Sequence, residues 1–212
     1  MTTPQSSGEL HEALQHLTSG GVVVLPTDTL YGLAADVSSQ TALERVFTIK
    51  GRASDLALPV LVSDWAMVAM VASNQSSVAR RLAEKYWPGP LTLVLPKLTS
   101  LSDLVTGGRD TVAVRSPEHR VPQGLITQLG RPITGTSANL SGAPNPQSLD
   151  EVREQLGDSV DYIISCGPAP MGTASTIVDL TTDSPMLIRE GAIPFQEIKE
   201  FCHSSSASSD RG

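Results

Sequence analysis

The stretch GGVVVLPTDTLYG, residues 20–32, decides how the rest of the chain is read. Its two glycines stop a preceding helix in which Leu10, Ala13, Leu14 and Leu17 fall at helical spacing. Ser6 with Glu9 has the form of a capping box at that helix's start. Val22 to Leu25 is then a short continuous apolar run, the pattern of a strand buried on both faces. Pro26-Thr27-Asp28-Thr29-Leu30-Tyr31-Gly32 follows at once, offering two hydroxyls and a carboxylate beyond a strand end, where open α/β sheets place their sites. Such hydroxyls hold an amino acid or a phosphate; the same residues also suit an ordinary turn in which Thr27 and Asp28 satisfy the backbone.

The same vocabulary repeats along the chain. Leu33 to Val37, Leu58 to Val62, Leu91 to Leu95, Thr111 to Val114, Pro132 to Gly135, Tyr162 to Ser165, Thr176 to Leu180 and Met186 to Ile188 read as strands. Helices are expected over 41–50, 64–70, 75–86, 120–129, 148–156 and 194–201, with Ser148 and Glu151 forming a second capping box. Strands alternating with helices imply an α/β sheet with helices packed against it. No linker divides residues 8–202, which are read as one domain. Residues 1–7 are read as a flexible N-terminus, and the Ser-rich segment 203–212, with no apolar content to bury, as a disordered tail.

Composition excludes several classes. Fifteen Lys and Arg against 22 Asp and Glu give a net charge of −7, without the clustered cationic face that phosphate-backbone affinity needs; a transient contact with tRNA is left open. Cys166 and Cys202 match no zinc pattern and are too few for a disulfide framework. Met1 to Gly8 is polar, unlike a signal peptide, and the longest apolar run, Trp65 to Ala72, is far short of the roughly 20 residues that span a bilayer. A soluble, cytoplasmic protein with no membrane partner is expected. His11, His16, His119 and His203 have no metal-binding spacing, and the patterns of a Walker loop, a GxSxG elbow and an HExxH helix are missing from the sequence, so no protein-held metal and no His-based triad is expected.

Further polar clusters lie at element ends. Lys50-Gly51-Arg52 ends a helix, where the helix dipole favours cations; the pair also suits a pincer for a triphosphate. Trp87-Pro88-Gly89-Pro90-Leu91-Thr92 is a rigid turn that launches a strand and is read as structural. Arg115 closes the strand TVAVR and needs either an internal carboxylate or a substrate carboxylate. Gly135 to Gly142 packs small polar groups between glycines, the composition of a backbone cradle for phosphate. Ser175 opens one late strand and Arg189 closes another. Three arginines and several hydroxyls at strand or helix ends describe an anion-rich site.

PTDTLYGL (26–33), KGR (50–52), WPGPLT (87–92), TVAVRSP (111–117), TSANLSG (136–142), STIVDL (175–180) and IREGAI (188–193) together resemble, in order, the YrdC-type threonylcarbamoyl-adenylate synthases in their short, single-domain form, from about residue 8 to about residue 200. The resemblance implies a twisted mixed β-sheet with flanking helices around a large concave cavity. It also implies a nucleotidyltransferase that converts L-threonine, bicarbonate or CO2, and ATP into threonylcarbamoyl-AMP and pyrophosphate. A separate transferase machinery then modifies tRNA next to the anticodon. Mg2+ is expected to accompany the ATP. By similarity Lys50 and Arg52 are the catalytic pair; Lys50, Arg52, Leu56, Thr111, Ser137, Asn139, Ser141 and Arg189 hold ATP; and Thr29, Arg115 and Ser175 hold threonine. The chain departs from the family after KGR, where Leu56 stands in place of an amide side chain, and in the next strand, where Leu61 replaces a histidine of some members. The alternative function is an RNA-binding module of the same fold that has lost synthesis; few aromatic residues and the retained arginines argue against it.

Overall fold

β1 (Val23–Pro26) is buried at all four positions, as its unbroken apolar run requires. In the computed structural model, which describes residues 4–206 apart from Asn74 and Asp183, β1 turns back through Thr27 to Leu30 and pairs antiparallel with β2 (Tyr31–Ala34), Leu25 opposite Gly32. Its other edge pairs in parallel with β8 (Tyr162–Ile163), and β2 pairs with β7 (Thr136–Ser137), giving a four-stranded sheet of order β7-β2-β1-β8. A second, six-stranded sheet contains β3 (Val60–Leu61), β4 (Leu91–Pro96), β5 (Thr111–Arg115), β6 (Ile133–Thr134), β9 (Thr176–Asp179) and β10 (Met186–Arg189) in the order β10-β9-β4-β5-β3-β6.

The strand expected at Pro132 to Gly135 is therefore two short strands in different sheets, and the expected single sheet becomes two. β6 pairs with β3, the chain crosses at Gly135, and β7 pairs with β2. The crossing runs so close to β3 that a Cβ on Gly135 would lie 2.5 Å from Leu61 Cγ, a contact that only glycine avoids.

Helices cover the outer faces. α1 (Pro4–Thr18) and α5 (Arg120–Leu129) lie together beside the first sheet, where Ala13, Leu17, Val23, Leu25, Leu125 and Ile126 form one apolar cluster. A larger core lies under α2 (Gln40–Lys50), α3 (Ser77–Tyr86), α6 (Leu149–Leu156) and α7 (Phe195–Ser206). Each fully buried Val or Leu in these clusters contributes about 1.5–3 kcal/mol by leaving water. A single extra turn, α4 (Asp103–Thr106), had no signal in the apolar spacing, and residues 66–70 form a 3-10 turn instead of an α-helix.

The two termini bear on the expected cap and tail. α1 begins at Pro4, and the cap expected of the Ser6 side chain lies outside the described residues; the Glu9 carboxylate accepts from the Ser165 N–H and hydroxyl and from the Cys166 N–H, at 2.6, 2.9 and 3.0 Å. α7 continues to Ser206, so the first four residues of the Ser-rich segment are helical, and residues 207–212 lie outside the described part. The second capping signal holds: Ser148 Oγ accepts from the Glu151 N–H at 3.2 Å, while the Glu151 carboxylate reaches back to the Gln147 N–H at 2.8 Å. Among the described residues no helix is long and apolar enough to cross a membrane.

Candidate active site

Both sheets contribute to one cavity of about 290 Å³. Thr27, Thr29, Tyr31 and Ser137 line it from the first sheet and its turns; Thr92, Arg115, Ser175 and Arg189 line it from the second, and Arg52 from the segment after α2.

The end of α2 separates the two cations of the expected pincer. Gly51 adopts φ +59, its N–H bonds Thr48 O, and the Arg52 N–H bonds Phe47 O, the paired closure of a glycine C-cap. Lys50, 3% exposed, is buried against the 137–139 loop. Its ammonium donates to Ser137 O (2.5 Å), Asn139 O (2.9 Å) and Asn139 Oδ1 (3.0 Å). Burial, and then the charge of Arg52, push this amine down to about 8. Lys50 is thus a clamp on the 137–139 loop, and it does not line the cavity. Arg52 does. It donates from Nη2 to Ala57 O at 2.9 Å and lies over the Phe47 ring, 5.8 Å from its centre, while its buried Nε has no partner among the described residues. Burial lowers its affinity for the proton, Asp55 opposing.

Arg115 resolves the choice posed by its sequence. Its Nη1 donates to Asp28 Oδ1 at 2.8 Å, with both side chains 7% exposed, so the internal carboxylate is its partner. The guanidinium still faces the cavity. Burial pulls its pKa below the ordinary value, Asp28 pulls it back up, and nearby Arg189 pushes it down. Asp28 Oδ2 is buried with no partner among the described residues. Asp28 O and Thr29 O accept from the N–H groups of Met171 and Gly172, which lays the 167–174 loop over this turn.

Ser175 and Arg189 meet as neighbours from β9's start and β10's end. Arg189 Nη2 donates to Ser175 O at 2.9 Å and to Ser175 Oγ at 3.3 Å. Ser175 Oγ lies 2.8 Å from Thr92 Oγ1. Burial lowers the Arg189 pKa as well. Three guanidinium groups that share one partly dehydrated cavity without a lining carboxylate favour an anionic ligand.

Of the residues expected from sequence, Thr29, Arg52, Arg115, Ser137, Ser175 and Arg189 line the cavity. Asn139 stands behind Ser137, accepting from its hydroxyl at 2.6 Å and donating to Ala143 O at 2.6 Å. Ser141 is exposed and gives its N–H to Lys50 O. Leu56 is 42% exposed and outside the lining, where Ala57 and Pro59 take its place. Thr111 also lies outside it, at the far end of β5 from Arg115, about 13 Å away at strand rise. Thr27 and Thr136, members of the candidate clusters 26–32 and 135–142 without an assigned ligand, also line the cavity, as do Asn145 and Thr92, the latter from the turn read as structural. For Thr92 a signal existed: a threonine inside the buried strand LTLVL needs a polar partner.

The geometry is that of an α/β protein whose two mixed sheets enclose a cavity of arginines and hydroxyls. The chain belongs to the Sua5/YciO/YrdC family: the family model, described as "Telomere recombination", matches residues 15–191. A threonylcarbamoyl-AMP synthase of Pyrococcus abyssi is 40% identical over 184 residues, 87% of this chain and 54% of that protein. One of Vibrio vulnificus is 36% identical over 184 residues, 86% of this chain and 98% of its own length. The crystal structure of P. abyssi Sua5 complexed with L-threonine superimposes with a TM-score of 0.87 at 39% identity, covering 90% of this chain and 56% of the other. The chain thus spans about half the length of the archaeal relative and nearly all of the Vibrio one.

Proposed function

We propose that this chain is an L-threonylcarbamoyladenylate synthase, which condenses L-threonine, bicarbonate or CO2, and ATP into threonylcarbamoyl-AMP and pyrophosphate. The product would serve threonylcarbamoyladenosine modification of tRNA by a separate transferase machinery. The observation that carries the reading is the convergence of Arg52, Arg115 and Arg189 with the hydroxyls of Thr29, Ser137 and Ser175 on one cavity, in a family whose P. abyssi member binds L-threonine.

The chemistry needs no enzyme nucleophile. The threonine amine adds to CO2 and loses a proton to form a carbamate; a carbamate oxygen attacks the α-phosphorus, and pyrophosphate leaves with the electron pair of the broken P–O bond. Two anions must be brought together, so positioning and charge cancellation supply the rate. Arg115, Thr29 and Ser175 would hold threonine. Arg52, with its unpartnered Nε, Arg189 and Ser137 would face the nucleotide. Lys50 and Asn139 would act one layer back, holding the Ser137 loop in shape. The lining hydroxyls and guanidinium groups match phosphate oxygens rather than a metal cage. Magnesium would therefore ride on the triphosphate, where it draws off negative charge.

Pyrophosphate release from ATP, measured with and without each co-substrate, tests the proposal. Release that requires both threonine and bicarbonate is expected. Equal release without threonine, or RNA retention with no release at any magnesium concentration, would sink it.

A further inference from the structure

Thr92 sits in the middle of β4, 2% exposed, yet its side chain reaches the cavity. Strand pairing does not need its hydroxyl, because β4 and β9 are already joined by a parallel ladder with Thr92 opposite Ile177. Its one described partner is Ser175 Oγ, at 2.8 Å. Ser175 Oγ also accepts from Arg189 Nη2, and a guanidinium can only donate, so that contact uses a lone pair and no serine hydrogen. The two hydroxyls carry two hydrogens, and the bond between them takes one. Whichever oxygen donates, one hydrogen is left without a protein acceptor among the described residues, and both side chains line the same cavity.

The neighbouring hydroxyl pair is closed. Thr27 gives its hydrogen to Leu30 O at 2.7 Å, and Thr29 Oγ1 lies 3.0 Å from Thr27 Oγ1, so both hydrogens of that pair have protein acceptors. Thr27 Oγ1 also accepts from Arg115 Nη2 at 3.4 Å, and the Arg115 guanidinium lines the same space as Thr92 and Ser175. The spare hydrogen of the Thr92–Ser175 pair and this guanidinium form a donor set suited to an acceptor-only group, of which a carboxylate is the simplest.

We infer that Thr92 is a binding residue of the amino-acid subsite, the Thr92–Ser175 pair presenting one hydroxyl hydrogen to the substrate carboxylate that Arg115 holds. This rests on the synthase reading above. The test compares Thr92→Val, which keeps the shape and removes the hydroxyl, with Thr92→Ser, which restores the hydroxyl. L-threonine and a non-hydrolysable ATP analogue are titrated separately by calorimetry, and threonine-dependent pyrophosphate release gives KM and kcat. Thr92→Val should weaken L-threonine about tenfold or more, as befits a lost hydrogen bond to a charged group, with analogue affinity within about twofold. Thr92→Ser should return threonine affinity to within about threefold of the parent. Unchanged threonine affinity in Thr92→Val overturns the inference and leaves the synthase reading standing. Equal loss of threonine and analogue binding in both variants also overturns it, assigning Thr92 to a structural cross-link. A parent protein that binds the analogue but not L-threonine overturns the inference and the synthase reading together.

Discussion

Replacing Asp28, the buried partner of the cavity-lining Arg115, with alanine should destabilise the fold. The carboxylate meets Arg115 at 2.8 Å, and each side chain is 7% exposed. Arg115 is thereby left with a buried charge and no other carboxylate at its guanidinium among the described ion pairs. Removing one partner of a buried pair costs about 3–5 kcal/mol, because the remaining charge is stranded out of water. For a domain of this size each 1 kcal/mol lowers Tm by about 2–4 °C, so a fall on the order of 10 °C is expected. Asp28→Asn keeps one acceptor oxygen for Arg115 while losing the charge and turning the other oxygen into an NH2 donor; its cost should be smaller, about 1–3 kcal/mol. Urea unfolding of both variants, with intact m-values as the check on two-state behaviour, measures the difference. If Asp28→Ala loses less than about 1 kcal/mol, the pair behaves like an exposed ion pair, and the account of Arg115 as a charge held in place by Asp28 is wrong.

Other expectations follow from the same contacts. Lys50→Met should cost about 2–4 kcal/mol, since Ser137 O and Asn139 O lose the ammonium donor and Asn139 Oδ1 keeps only the Ser137 hydroxyl; an unaltered Tm would contradict its role as a clamp. Gly135→Ala should cost about 1–3 kcal/mol through its overlap with Leu61. Adding Leu61→Ala should recover part of that loss, and strict additivity in the double-mutant cycle would count against the close approach. His119 caps α5 by accepting the Val121 N–H at Nδ1, and burial holds its pKa below 6.5 despite the Pro168 carbonyl and Asp28. The unfolded chain therefore binds the proton more readily, so this residue's contribution is full above pH 6.5 and declines as pH falls from there through the lower native value. His119→Asn keeps a cap without titrating; its Tm should fall less between pH 7 and pH 5, and parallel curves for the two proteins would contradict this.

Local chemistry was legible in the residues themselves. The buried run of β1, the glycine stop of α2, the Ser148 cap and the strand-end positions of Arg115 and Arg189 all follow from spacing and backbone preference over a few residues. What tertiary structure alone decided concerns partners far apart in the chain. Strands β6 and β7 are two residues each, too short to show which sheet they join; the crossing at Gly135 is set by its contact with Leu61. Arg115 and Asp28 are 87 residues apart, and Thr92 and Ser175 are 83 apart. No local pattern selects those pairs, because a buried charge or hydroxyl takes whichever partner the folded sheets bring to it. Lys50 and Arg52 illustrate the boundary. Two cations flanking a glycine looked alike in sequence, yet the left-handed turn at Gly51 sends one into the protein as a clamp and the other into the cavity.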